Sequence, residues 1–214
     1  MPETGVTKRI YFVRHGETTG NRDFISQTYE TPLTDAGHLQ AVKVAERVSK
    51  LDFETIISSD MQRALETAKY ISEAKKIEVD ACSLFHEKFT PLNVRNKSIE
   101  SEEYKEYASG WEENFFDPNW ALPGSESFND LMERADEAVR YLLDSRFKDI
   151  LVVTHGTFLK HLCARMIFGG ELTPKVFRPI YKSFHPDNTG ITFMKWNGER
   201  WRLITWNDIA HFAE

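Results

Sequence analysis

The stretch RIYFVRHG, residues 9–16, decides the fold of this chain. Its aromatic and β-branched residues predict a short buried strand over 9–13, which ends abruptly at Arg14-His15-Gly16. The same pattern returns at residues 150–156, where the apolar run ILVV is followed by Thr154-His155-Gly156. Each copy places a histidine just past a buried strand and before a glycine, which lets the backbone turn and approach a ligand closely.

Further strands and helices alternate between and after these two stretches. Additional strands are predicted at 54–57 and 77–79, and a closing hairpin at 191–196 and 200–206 is predicted by Asn197-Gly198. Helices are predicted after Thr34, over 61–71, over 128–143, over 158–168 and from Pro174. Alternation of this kind predicts an α/β fold with a mostly parallel sheet and the C-terminal hairpin at its edge.

Residues 1–214 are predicted to form one domain, since a chain of this length supports one sizeable core. The segment from Ser98 to Pro123 differs from the rest because it is acidic, aromatic and interrupted by prolines. A long stretch between core elements is usually a functional lid or a small inserted lobe. We therefore expect a lid or cap at about residues 88–123.

Composition excludes several classes of function. The net charge of −6, with scattered basic residues, argues against nucleic-acid binding, which favours a basic stripe. No apolar run approaches the roughly 20 residues that span a membrane. Two cysteines, Cys82 and Cys163, are too few for a disulfide framework. With an N-terminus unlike a signal peptide, these features predict a cytoplasmic protein.

Polar residues follow three of the predicted strands, as Arg14-His15-Gly16, Ser58-Ser59-Asp60 and Thr154-His155-Gly156. Ligands of such folds bind outside the carboxyl ends of the strands, so these segments should converge. Arg63, one turn into the following helix, can reach back over them. Ser58-Ser59-Asp60 equally suits a helix N-cap.

A phosphoryl group matches this combination of side chains. Arginine's planar, permanently charged fork suits the phosphoryl oxygens, which favours Arg14 and Arg63 as ligands. A neutral imidazole such as His15 can act as nucleophile through a covalent intermediate. The leaving alkoxide needs a proton, and Glu87, after the third strand, is the candidate acid.

Arg14-His15-Gly16-Glu17-Thr18 with Asn21 resembles the signature of the histidine phosphatase superfamily, in its phosphoglycerate mutase-like branch. The resemblance continues, in order, through Pro32-Leu33-Thr34, Gly37, Ser58-Ser59-Asp60, Arg63-Ala64, Glu66-Thr67-Ala68, Glu87, Gly124, Glu126-Ser127 and Val153-Thr154-His155-Gly156. It therefore spans roughly residues 9–160. The sequence departs from the family pattern at Thr28, at Ser125 and in the stretch 89–97 after Glu87.

The resemblance implies a three-layer α/β/α sandwich that works without metal or cofactor. It implies that His15 is transiently phosphorylated, that Arg14, Arg63 and His155 bind the phosphoryl group, and that Glu87 serves as acid and then activates water. Residues expected to contact substrate are Gly16, Asn21, Thr28 and Gly156.

These observations predict a phosphomonoester hydrolase that acts on a small phosphorylated metabolite and releases phosphate. The main alternative is a cofactor-dependent phosphoglycerate mutase-type isomerase, although such mutases carry an arginine-rich stretch that this chain lacks. A metallohydrolase using His15, Asp60 and His155, or a non-catalytic phospholigand-binding module, is less favoured. The sequence leaves open the substrate, the oligomeric state and whether Arg95 and Lys97 contact substrate.

Overall fold

A single six-stranded sheet organises the protein, whose computed structural model describes residues 7–213. The strands are β1 (Lys8–Arg14), β2 (Thr55–Ser58), β3 (Val79–Ala81), β4 (Asp149–Thr154), β5 (Ile191–Trp196) and β6 (Trp201–Asp208). They lie in the order β3-β2-β4-β1-β5-β6, and the first four are parallel. Strands β5 and β6 form an antiparallel hairpin at one edge, as the sequence predicts.

Seven α-helices connect these strands in the described part of the chain. They are α1 (Thr19–Arg22), α2 (Asp35–Ser49), α3 (Gln62–Lys75), α4 (Glu102–Glu113), α5 (Phe128–Asp144), α6 (Gly156–Phe168) and α7 (Pro174–Ser183). Helix α2 begins as predicted, because the Thr34 hydroxyl accepts a hydrogen bond from the Gly37 amide. Thr173 caps α7 in the same way, and Pro174 occupies the first turn, where its missing amide costs nothing.

Two helical layers cover the two faces of the sheet. Alternate residues of each strand point to opposite faces, so Ile10 and Phe12 pack on one side of β1, and Tyr11 and Val13 on the other. The first side packs against α5, α6 and α7, and the second against α2 and α3. The resulting α/β/α sandwich confirms the predicted fold class.

The structure differs from the sequence prediction at several element boundaries. The third strand lies at Val79–Ala81 instead of 77–79, because its pairing with β2 sets the register, with Asp80 opposite Ile57. Both Asp80 and Ala81 are exposed at the sheet edge, so hydrophobicity does not mark them. Helix α6 begins at Gly156, directly after β4. Helix α3 is capped by Met61 without a side-chain hydrogen bond, so Ser58-Ser59-Asp60 does not supply the N-cap residue.

The segment expected to form a lid, residues 88–123, contains a 3₁₀ turn at Leu92–Val94 and helix α4. Buried Phe115 joins the core beneath α5, α6 and α7. In the first part of the segment, the Ser26 amide donates to the Lys97 carbonyl oxygen, and the Asn96 amide donates to the Ser26 carbonyl oxygen. The segment is thus held against the rest of the protein both near Lys97 and near Phe115.

Two glycines allow the loop after β1 to pack directly on the start of α2. A Cβ atom on Gly37 would lie 2.0 Å from the Glu17 carbonyl oxygen, and one on Gly16 would lie 2.6 Å from the Gly37 carbonyl oxygen. Both obstacles are backbone atoms, which cannot rotate away. Close backbone packing therefore fixes the loop that carries His15.

Gly37→Ala should destabilise the protein by about 1–3 kcal/mol, since the added methyl group forces the β1 loop away from α2. Urea unfolding measures the change. Gly170→Ala is the matched control, because a Cβ atom there meets no atom within 4 Å. Equal destabilisation by the two substitutions would contradict this account of the packing.

His161, on α6, is a fully buried histidine of the core. Its Nδ1 donates to the Thr157 carbonyl oxygen at 2.8 Å, and its ring lies 4.1 Å from that of Phe177. The Nε2 atom is buried without a hydrogen-bond partner among the described residues. Burial lowers the pKa of His161 to about 3. The ring is therefore neutral in the folded protein.

This histidine predicts a loss of stability in mild acid. The pKa of His161 in the folded protein lies below the unfolded value of 6.5. Below about pH 6.5 the unfolded chain therefore binds a proton that the folded protein does not, and the free energy of unfolding decreases as the pH falls. One such group adds a slope of at most about 1.4 kcal/mol per pH unit. His161→Phe should flatten the dependence of the unfolding free energy on pH between pH 6 and 5. Urea unfolding at several pH values tests this, and parallel curves for the two proteins would refute it.

Candidate active site

Adjacent parallel strands bring the predicted segments together at one edge of the sheet. Strand β4 lies between β1 and β2, and Arg14 is in register with Thr154. The next residue of each strand is a histidine, and the ring centroids of His15 and His155 lie 5.0 Å apart. The convergence inferred from the sequence is therefore present in the fold.

The His15 ring is held in one tautomer. Its Nδ1 lies 2.7 Å from the Gly16 carbonyl oxygen, which can only accept, so Nδ1 carries the hydrogen and Nε2 the lone pair. Asn188 fixes the backbone by donating to the His15 carbonyl oxygen at 2.9 Å. Burial, followed by the charges of Arg63 and Arg14, holds the pKa of His15 well below its usual value. The imidazole is therefore neutral and able to act as a nucleophile.

The His155 ring lies behind the pocket wall, with both nitrogens engaged. Arg63 donates from Nε to His155 Nδ1 at 3.2 Å, so the ring hydrogen sits on Nε2, 2.8 Å from Ser59 Oγ. Burial is the main cause that lowers the pKa of His155, with the charge of Arg63 next. His155 thus serves as a neutral support for the Arg63 guanidinium.

Arg63 and Arg14 present two guanidinium groups to the same space. Arg63 also donates from Nη1 to the Thr28 carbonyl oxygen at 2.8 Å, and burial lowers its pKa to about 10, which leaves it charged near neutral pH. Arg14 donates from Nη1 to the Pro186 carbonyl oxygen at 2.7 Å. Its Nε is buried without a hydrogen-bond partner among the described residues. A bound anion could satisfy this donor.

Gly156 makes room for the Arg14 side chain. A Cβ atom at this position would lie 3.3 Å from Arg14 Nε and 3.6 Å from Cζ. The glycine after β4 thus supports the arginine of β1. Gly156 also borders the pocket, so its contact with substrate stays a prediction.

Glu87 is oriented by three backbone amides. Its carboxylate accepts hydrogen bonds from Thr157 at 3.0 Å, Phe158 at 2.8 Å and Lys88 at 2.8 Å. The first two amides belong to the first turn of α6, whose partial positive charge favours a carboxylate there. Glu87 therefore has a fixed position on the pocket wall, and among the described residues it is the one acidic residue that lines the pocket.

A cavity of about 350 Å³ is lined by Arg14, His15, Arg63 and Glu87, among other residues. Its charged lining consists of five basic residues, Arg14, Arg63, Lys88, Arg95 and Lys160, and one acidic residue, Glu87. The excess of positive charge occurs in a chain of net charge −6. Residues 88–90, Arg95, Ile99 and Tyr104 bring the segment expected to form a lid into the pocket wall.

The predicted substrate contacts fall into two groups. Asn21 and Thr28 border the cavity, and so does Gly156. Gly16 does not, because its amide donates to Thr67 Oγ1 at 3.0 Å and its α-carbon packs on Gly37. Of the residues that the sequence left open, Arg95 borders the cavity, whereas Lys97 pairs with Glu103 at the surface.

Sequence analysis missed the loop 185–190 and two lysines. Through Pro186 and Asn188 the loop contacts Arg14 and His15. Strand β5 runs antiparallel to β1, so its amino end lies where the parallel strands have their carboxyl ends. The predicted hairpin could therefore have indicated that the loop before β5 reaches the site. Lys88 and Lys160 carried no signal, since isolated lysines are usually solvated.

Two properties of the described residues concern membrane spanning and metal binding. In the range 7–213, no helix is long and apolar enough to cross a membrane. Over that range, too, no three or more His, Cys, Asp and Glu side chains are grouped so that they could hold a metal ion.

Comparison with known proteins places this geometry in a family. The chain is 31% identical over 216 residues to phosphoglycerate mutase-like protein 4 of Arabidopsis thaliana, which covers 96% of this chain and 87% of the relative. It is also 31% identical over 207 residues to a probable phosphoglycerate mutase, GpmB, of Salmonella choleraesuis, covering 95% and 94% of the two chains.

Among solved structures, mycobacterial glucosyl-3-phosphoglycerate phosphatase in complex with VO3 is similar, with a TM-score of 0.78 and 25% identity, covering 94% of this chain and 99% of the other. The family model described as histidine phosphatase superfamily (branch 1) matches residues 10–209. The chain therefore belongs to the histidine phosphatase superfamily, branch 1, as an enzyme of the phosphatase or phosphoglycerate mutase-like type.

Proposed function

We propose that this enzyme hydrolyses phosphomonoesters of small metabolites through a phosphohistidine formed on His15. The observation that carries the proposal is the neutral His15 ring, held by Gly16 with its Nε2 lone pair available, beside Arg14 and Arg63. Catalysis of phosphoryl transfer rests on positioning and on stabilising charge spread over the phosphoryl oxygens. This pocket supplies both.

In the first step, His15 Nε2 attacks phosphorus and the bond to the ester oxygen breaks. Arg14 and Arg63 neutralise the phosphoryl oxygens as charge develops on them. Glu87, in its acid form, gives its proton to the leaving alkoxide. His155 holds Arg63 in place for this step; contact of its own ring with the phosphoryl group stays a prediction.

In the second step, the Glu87 carboxylate removes a proton from water, and the oxygen attacks the phosphohistidine. The phosphorus–nitrogen bond breaks, inorganic phosphate leaves and His15 returns to its neutral form. The amides that orient Glu87 keep it on one side of the pocket in both steps. We further propose that residues 88–123 form the wall that selects the alcohol part of the substrate.

A mutase is the second candidate, supported by the names of the relatives at 31% identity. A mutase must exclude water and retain its phosphoenzyme until the product is rephosphorylated. We favour the phosphatase because the stretch 89–97 after Glu87 holds Arg95 as its only arginine, where mutases carry an arginine-rich stretch. The similar solved structure is that of a phosphatase, which agrees with this choice.

His15→Ala should lower turnover of a reactive phosphomonoester by at least about a thousandfold, since the nucleophile is lost. Phosphate binding should persist, because both arginines remain. His38→Ala, on α2, is the control and should retain activity. Rapid acid-free quenching with labelled substrate should trap phosphohistidine only in proteins that contain His15. Unchanged hydrolysis by His15→Ala would refute the proposed role.

The phosphatase and mutase hypotheses differ in the fate of 3-phosphoglycerate. We expect phosphate release to exceed formation of the 2-phospho isomer, since water reaches the phosphohistidine. Phosphate and both isomers should be quantified in the same reaction, with and without a bisphosphorylated primer. Isomer formation faster than phosphate release would establish the mutase instead.

A further inference from the structure

The side-chain amide of Asn188 connects the loop that carries His15 with a residue of the pocket wall. Its Nδ2 atom lies 2.9 Å from the His15 carbonyl oxygen and 3.3 Å from Asn21 Oδ1. A carbonyl oxygen can only accept, so the atom of Asn188 that faces it is the nitrogen, which carries two hydrogens. One hydrogen is therefore available for each acceptor, and a single group contacts both the backbone of His15 and the side chain of Asn21.

The orientation of the Asn21 amide follows from the donors around it. Its Oδ1 accepts from the Thr18 amide at 3.2 Å, from the Thr18 hydroxyl at 3.0 Å and from Asn188. A backbone N–H can only donate, so the oxygen of the Asn21 side chain must face Thr18. The Nδ2 atom forms no hydrogen bond within the described residues, and Asn21 borders the cavity. Its two hydrogens are thus available to a bound anion.

The loop that carries Asn188 is held in a conformation that costs free energy. Thr189 has a φ of 59°, in the left-handed region that a β-branched residue rarely adopts. Its amide donates to the Arg14 carbonyl oxygen at 2.9 Å, and its hydroxyl donates to the Asn188 carbonyl oxygen at 2.7 Å. His211, from the C-terminal turn, contacts the same hydroxyl at 3.0 Å. Surrounding contacts therefore maintain a strained backbone, and such strain is concentrated at functional sites.

From this geometry we propose that Asn188 is a positioning residue for phosphoryl transfer. It orients the Asn21 amide so that Nδ2 donates to a phosphoryl oxygen, and it joins that donor to the backbone of the nucleophile, His15. A donor whose position is fixed before the substrate binds needs no reorganisation in the transition state. Asn188 itself does not border the cavity, so it acts through Asn21. The inference rests on the proposed function for the identity of the anion.

Binding of inorganic phosphate tests the positioning without turnover. Asn188→Leu keeps the approximate shape of the side chain and removes the donor. Calorimetry should give a dissociation constant for phosphate at least about tenfold higher than that of the wild-type protein, as expected when one hydrogen bond to a charged group is lost. Asn129→Leu is the matched control, since the Nδ2 atom of Asn129 donates to Asn119 Oδ1 at 2.7 Å on the surface. This variant should leave the dissociation constant unchanged.

A double substitution separates positioning from a purely structural role. Asn21→Ala removes the proposed donor and should also raise the dissociation constant. If Asn188 acts through Asn21, adding Asn188→Leu to Asn21→Ala should weaken phosphate binding by less than about twofold further. Two independent contributions would instead multiply. A merely structural role of Asn188 therefore predicts that the double variant loses the full effect of both substitutions.

An unchanged dissociation constant in Asn188→Leu, or effects of the two substitutions that multiply, would overturn the positioning role. Failure of the wild-type protein to bind phosphate at millimolar concentration would do the same. Urea unfolding checks that each variant is folded, and if Asn188→Leu does not fold, Asn188→Ala replaces it in both measurements. Phosphohistidine trapping reports separately on the proposed function. Non-additive effects on phosphate binding without phosphohistidine would reject the mechanism and keep the positioning role.

Discussion

The parallel pairing of β1 with β4 is the constraint on which the site depends. Register along this pair, from Arg9 opposite Asp149 to Arg14 opposite Thr154, places the residues after the two strands side by side. A slip of one residue would turn every side chain of a strand to the other face. The buried residues of β1 and β4 on both faces prevent such a slip. Hydrophobic packing thus sets the 5.0 Å separation of the His15 and His155 rings.

Different hydrogen-bond partners distinguish the two histidines, although their sequence contexts match and both are buried. Both rings are neutral because desolvation and nearby guanidinium groups lower their pKa. His15 uses Nδ1 for a local backbone bond and keeps its Nε2 lone pair, whereas His155 uses both nitrogens for Arg63 and Ser59. The difference arises from Arg63 on α3 and Ser59 just after β2, which no local motif reveals. Similar sequence therefore does not imply the same chemical role.

The sequence predicted the sheet and the meeting of its strand ends because apolar periodicity is a local property. It placed Arg63 beside Arg14 and His15, because a residue one helical turn past a strand end lies near that end whatever the rest of the fold. It did not reveal that Gly16 packs on Gly37 or that the loop 185–190 holds the backbone of His15, because both contacts join residues distant in the chain. The boundary of β3 shifted for the same reason, since strand pairing decides it.

The distribution of charge explains how an acidic protein can contain a cavity suited to an anion. The global charge of −6 opposes the approach of a phosphate ester, so local cations must outweigh it. Within the pocket, five basic side chains face one acidic side chain, so the local charge is positive. Burial of basic groups costs free energy, which Glu87 offsets in part through its charge near Lys88 and Lys160. An anion bound in this cavity would offset more of that cost.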